Sequence, residues 1–115
     1  MKTFYINLDT ANQRRNKFAE TGFKRWRATR RDEVPEQIDK TMISMYNFGR
    51  QSHLARCACF LSHTKLLEFI VNNNLNDVLI LEDDAVKVNP IPVDYPRDSI
   101  VYVGGFIYVL LNIVF

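Results

Sequence analysis

A chain of 115 residues, 47% hydrophobic and 24% charged, is an ordinary globular sequence with enough apolar material for one core and too little length for two. Its formal net charge of +2 hides an asymmetry: residues 1–57 carry twelve Lys/Arg against six Asp/Glu and residues 58–115 three against seven, about +6 and −4. The basic residues are scattered and no recognised DNA- or RNA-binding motif accompanies them, which sets nucleic acid aside and leaves a solvated basic surface or an anionic ligand bridged by a metal.

Met1-Lys2-Thr3 runs straight into a strand-like segment containing Asn7 and Asp9, not into an apolar leader with a cleavage site, so a cytoplasmic location is the expectation. Phe4-Tyr5-Ile6-Asn7-Leu8 reads as a first strand, with Asp9 or Thr10 as N-cap of a helix from Ala11 to about Glu20 that Gly22 stops. Phe23 to Ala28 alternates Phe23, Arg25 and Arg27 with Lys24, Trp26 and Ala28, the period of a second strand with one buried face. A charged connection from Thr29 to Glu36 leads to a short helix within Gln37–Tyr46. Phe48 to His53 reads as a loop.

From Leu54 to Asn73 the apolar positions 54, 57, 58, 61, 66, 67, 70 and 71 follow a helical period long enough to cross a sheet. Cys57 and Cys59 lie on this segment two residues apart, which points them to different faces and rules out a mutual disulfide. Both are expected as buried thiols. With no other cysteine and only His53 and His63 present, a zinc site is not expected.

Val78-Leu79-Ile80-Leu81 is a buried strand that ends in Glu82-Asp83-Asp84. A Pro-containing loop from Val86 to Arg97 follows, then Ile100 to Val103 as a strand stopped by Gly104-Gly105. The last ten residues are nearly all apolar; sixteen residues from Ile100, interrupted by two glycines and Asn112, fall short of the roughly 20 of a membrane-spanning helix. They are expected to form a core strand or a tail whose partner segment is absent. The order β-α-β-(α)-α-β-β predicts an α/β domain over 1–115 with a mostly parallel, Rossmann-like sheet.

Three constellations carry chemistry. Carboxylates are costly to bury, so three of them at the carboxyl end of a buried strand suit a bound cation, and that edge is where open α/β sheets take ligands. An extended backbone through Glu82-Asp83-Asp84 puts Glu82 and Asp84 on one side and Asp83 on the other, an acid-x-acid pair able to hold magnesium or manganese against a diphosphate. A solvated acidic loop is the plainer alternative. Asn7 and Arg14 flank a strand-loop-helix edge that can face anionic groups, although without a Gly-rich loop; taken alone they read as a turn-former and a solvated charge. Ser62-His63 offers a base or phosphate contact, or a core histidine donating one hydrogen bond.

Together, Phe4 to Asp9 with Arg14-Arg15, Phe23 to Ala28, Cys59-Phe60-Leu61-Ser62-His63, Leu79 to Asp84 and, weakly, Tyr102 to Gly105 resemble glycosyltransferase family 25, which includes lipopolysaccharide and lipooligosaccharide glycosyltransferases. The resemblance implies a GT-A fold and transfer of a sugar, a hexose such as galactose, from a nucleotide-diphosphate donor to a glycan or glycolipid acceptor. It implies a divalent metal, Mn or Mg, at Glu82 and Asp84, donor contacts from Asn7, Arg14, Ser62, His63 and Asp83, and peripheral membrane association. Where the family has an acidic residue and a glycine before the cysteine, this chain has Arg56 and Ala58. The resemblance further implies that the chain corresponds to the N-terminal half of the family's domain, whose second half supplies acceptor contacts and, in inverting members, the base. Competing expectations are a non-catalytic remnant that binds nucleotide and, lower, a phospho-acceptor receiver domain.

Overall fold

The computed structural model describes residues 1–41, 49–87, 90, 94–96, 98–102 and 108–112. Its elements run β1 (Lys2–Asn7), α1 (Asn12–Asn16), β2 (Lys24–Arg27), a 3-10 turn (Arg31–Glu33), α2 (Glu36–Thr41), α3 (Arg50–Asn72), β3 (Val78–Glu82), β4 (Ser99–Tyr102) and β5 (Tyr108–Asn112). The five strands form one sheet in the order β2-β1-β3-β5-β4.

β1 is the central parallel strand, paired with β2 on one side and β3 on the other. Its aromatic and β-branched run Phe4-Tyr5-Ile6 is buried on both faces, as an interior strand of an α/β sheet requires. Alternation along β1 and β3 divides the core in two. Phe4, Ile6, Val78 and Ile80 cluster with Leu66 and Ile70 of α3, and Trp26 packs at their edge. Tyr5, Leu79 and Leu81 cluster with Phe18 on the opposite face, where Tyr5 and Phe18 stack with centroids 4.3 Å apart.

Parallel pairing is confined to three strands. β5 runs antiparallel to both β3 and β4, a departure from the mostly parallel sheet the sequence suggested. The stretch between Tyr102 and Tyr108 is too short for the crossover of about a dozen residues that a parallel connection needs. The apolar end of the chain is nonetheless strand over Tyr108–Asn112, paired with β3. Gly104-Gly105 and the part of the expected Gln37–Tyr46 helix beyond Thr41 lie outside the described residues.

Two helices differ from expectation. α1 keeps only Asn12–Asn16, capped by Ala11 without a side-chain bond and not by Asp9 or Thr10; Asp9 is held by Arg25 and Arg27. Tighter bonds from Phe18 to Arg15 and from Ala19 to Asn16 follow and bring Phe18 under Tyr5. α3 starts one turn earlier than predicted, at Arg50, after Gly49 with φ +86°, a conformation that favours glycine. His53, placed in a loop by the sequence, is fully buried within it. At 1.5 Å per residue, α3 is about 34 Å long, enough to cover the sheet. Among the described residues, no helix is long and apolar enough to cross a membrane.

The buried stripe of α3 makes a direct prediction. Ile70 is 0% exposed and Val71 47%, so Ile70→Ala should lower stability by about 2–5 kcal/mol, whereas Val71→Ala should stay within about 0.5 kcal/mol. Urea midpoints at constant slope measure both, and equal losses would contradict the assignment of the buried face.

Candidate functional site at the carboxyl end of the parallel strands

β1 and β3 run side by side until Ile6 stands opposite Glu82. Beyond that pair the ladder stops. The Ala85 N–H bonds the Glu82 carbonyl at 3.0 Å, so the chain turns through Asp83 and Asp84 where an extended run was expected. Glu82 and Asp84 are therefore not a strand-alternated pair. β1 has ended at Asn7, and with no neighbouring strand the backbone closes its own hydrogen bond.

Alternation still decides where the first two acids go. Val78 and Ile80 face α3, and Glu82 follows them: its Oε1 lies 3.2 Å from His63 Nε2. Asp83 falls on the Tyr5 side, where Asn7 ends β1. The Asn7 amide nitrogen donates to Asp83 Oδ2 at 2.8 Å and to the Ala11 carbonyl at 3.1 Å. Its Oδ1 accepts from Arg15 Nε at 3.1 Å and Arg25 Nε at 3.0 Å. Asn7 is 1% exposed, and both donors and both acceptors of its amide are used. It clasps two strand ends and two arginines without reaching solvent.

Arg14 pairs with the other oxygen of Asp83 at 3.2 Å while its side chain remains 61% exposed. Such a pair is worth little by itself in water, but it holds an exposed guanidinium over the strand ends. A second ion network supports the rim. Arg25 and Arg27 hold the Asp9 carboxyl below its ordinary pKa. The backbone N–H of Arg30, followed by Arg27, does the same for Glu33.

The third grouping comes from α3. Cys59 and His63, four residues apart, stack on one side of the helix and both reach Glu82, Cys59 Sγ at 3.7 Å and His63 Nε2 at 3.2 Å. The hydrogen bond to Cys59, and after it that to the Glu82 carboxylate, raises the His63 pKa to about 9. Cys57 is buried as expected, but Cys59 is exposed. The expectation that zinc would find no ligand set also fails, since Cys59, His63 and Glu82 place their donor atoms within 4.8 Å of one another. Ser62 is buried instead: it donates to the Ala58 carbonyl and accepts the Thr29 N–H, each at 2.8 Å, tying the end of β2 to α3.

One cavity of about 730 Å³ joins these groups. Arg14, Ser62, His63, Glu82, Asp83 and Asp84 line it, with Arg30 and Arg31 adding positive charge. Asn7 stands behind the wall between Ile6 and Leu8, which do line it. Two features went unread in the sequence. The i, i+4 spacing of Cys59 and His63 was a usable signal for the first. For Arg30 and Arg31, which reach the rim through a 3-10 turn, there was none.

His63 yields a prediction with a definite sign. A folded pKa of about 9 against 6.5 for the free side chain means its contribution to stability is fully present below about pH 6.5 and lost as pH rises through about 9. Its ring resonances should titrate near 9 in NMR spectra, and Cys59→Ser or Glu82→Gln should lower that midpoint. A midpoint near 6.5 in the unmodified chain would contradict the contacts.

Residues 1–89, from β1 through the turn after Glu82, match the family model described as Glycosyltransferase family 25 (LPS biosynthesis protein). Comparison with curated proteins gives no match. The matched stretch contains the Asn7 clasp, the Cys59–His63 pair and all three acids, and covers most of the chain. The chain belongs to glycosyltransferase family 25.

Proposed function

We propose that the cavity binds a nucleotide-diphosphate sugar, and that the chain supplies the donor side of a sugar transfer, a hexose such as galactose, to a glycan or glycolipid acceptor. The observation that carries this reading is the shared lining: the three carboxylates that end β3, with Asp32, and three arginines converge on one cavity, of a size that holds a cofactor or drug-sized ligand. In this reading the sheet is the nucleotide-binding part of a GT-A-type domain, and the reaction belongs to the cytoplasm, with peripheral association at a membrane.

The residues divide the work. Arg14, held over the strand ends by Asp83, meets the diphosphate, and His63, protonated at neutral pH, adds a second positive charge on the same wall. Asn7 positions Asp83 and Ser62 positions α3, each through bonds inside the chain. Glu82 and Asp84 offer the oxygen ligands that a hard divalent ion takes, and both line the cavity, so these residues fit manganese or magnesium. Such an ion supplies charge neutralisation for the leaving diphosphate. A phospho-acceptor reading has less support, because the acid that follows β1, Asp9, is committed to Arg25 and Arg27.

The test is thermal. Uridine diphosphate with manganese, at about one hundred times its Kd, should stabilise the chain by about 2.7 kcal/mol and raise Tm by several degrees. Asp84→Ala should remove the rise. Equal rises in both proteins would overturn the assignment, and turnover of donor with a panel of sugar acceptors separates a transferase from a nucleotide-binding remnant.

A further inference from the structure

We propose that Cys59, His63 and Glu82 form a binding site for a borderline-soft divalent ion of the zinc class, with its fourth coordination position open to the cavity. This goes beyond the sugar-transfer reading and does not depend on it, although it draws on Glu82, shared with the oxygen-ligated ion of the donor, and on His63, which gives up its positive charge when the site fills. The donor set is one sulfur, one imidazole nitrogen and one carboxylate oxygen. Thiolate and imidazole select zinc and its neighbours over magnesium and manganese, which prefer oxygen alone.

The geometry suits such an ion without rearrangement of the backbone. Tetrahedral zinc with bonds of about 2.0–2.3 Å separates its ligand atoms by roughly 3.3–3.7 Å. Glu82 Oε1 already stands 3.2 Å from His63 Nε2 and 3.7 Å from Cys59 Sγ, and no pair among the three exceeds 4.8 Å. Cys59 and His63 come from successive turns of one helix, and Leu66 and Ile70, which continue the same face, are fully buried against Val78 and Ile80 of the sheet, so the helix cannot rotate them away. Glu82 is the last residue of a strand paired with β1, so both elements that carry ligands are rigid.

The burial is graded in a way that suits an ion with one free position. The His63 and Glu82 side chains are 20% and 26% exposed, while Cys59 is exposed, and all three line the cavity. Three protein ligands with one position left for solvent or ligand is the pattern of reactive rather than structural zinc sites. Binding displaces the Cys59 thiol proton and the His63 imidazolium proton to solvent, so that the thiolate and the neutral imidazole meet the ion.

Cobalt(II) is the probe, because a thiolate ligand gives it a charge-transfer band in the near ultraviolet and tetrahedral coordination gives it intense visible bands. Titration of the purified, reduced chain should show both, saturating at equimolar cobalt and bleached by zinc. Cys59→Ser should abolish the charge-transfer band, and His63→Ala should weaken binding at least tenfold, a loss on the order of that seen when a supporting partner of a metal ligand is removed. Cys57→Ser and Asp84→Ala should leave the spectrum unchanged, the second separating this site from the oxygen-ligated ion of the donor. Cys59 is exposed, so its serine variant should fold, and far-ultraviolet circular dichroism checks this. Absence of the band in the unmodified chain, or its survival in folded Cys59→Ser, would overturn the proposal.

Discussion

The hydrogen bond between the Asn7 amide and the Asp83 carboxylate, 2.8 Å long and buried, is the contact on which the rest of the site depends. It joins the ends of two adjacent parallel strands where the backbone ladder between them has stopped. A buried carboxylate without such a partner is strongly disfavoured. With Asn7 donating to one oxygen and Arg14 to the other, the Asp83 carboxylate is partnered where it is buried, and the chain turns at the same point.

That turn sorts the three acids into different roles. Glu82, still on the strand, follows the parity of Val78 and Ile80 to the α3 side and meets Cys59 and His63. Asp83 is drawn inward to Asn7. Asp84 is left exposed at the mouth of the cavity. Asn7 meanwhile fixes Arg15 and Arg25 through its oxygen, and Arg25 reaches on to Asp9, so the loop between β1 and α1 takes its shape from the same residue. The site is thus a polar layer at the end of an apolar sheet, with Asn7 bonded to Asp83, Arg15 and Arg25, and Glu82 to His63 and Cys59.

Much of this was legible in the residues. The apolar run of Val78 to Leu81 marked a buried strand, the period of Leu54 to Asn73 marked the helix that covers it, and the order of the elements followed. The family also showed itself in short segments. Other parts were not readable for physical reasons. Three consecutive acids carry no local signal of where the ladder ends; that depends on the point at which β1 stops beside them. Asn7 has the composition of a turn residue, and its burial follows only from the arginines and aspartate that tertiary structure brings to it. The third partner of Cys59 and His63 is 19 residues beyond His63, and sheet packing alone delivers it. An apolar chain end is equally suited to parallel or antiparallel pairing, so the reversal of β5 could not be read from composition.

The most direct test of this account is a double-mutant cycle between strand ends, with Asn7→Ala, Asp83→Ala and the double variant compared by equilibrium denaturation. Residues in one buried hydrogen-bond network should show a favourable coupling of about 0.5–3 kcal/mol. Losses that simply add, within about 0.3 kcal/mol, would show that Asn7 and Asp83 do not hold one another, and the arrangement of acids around the cavity would then need another cause.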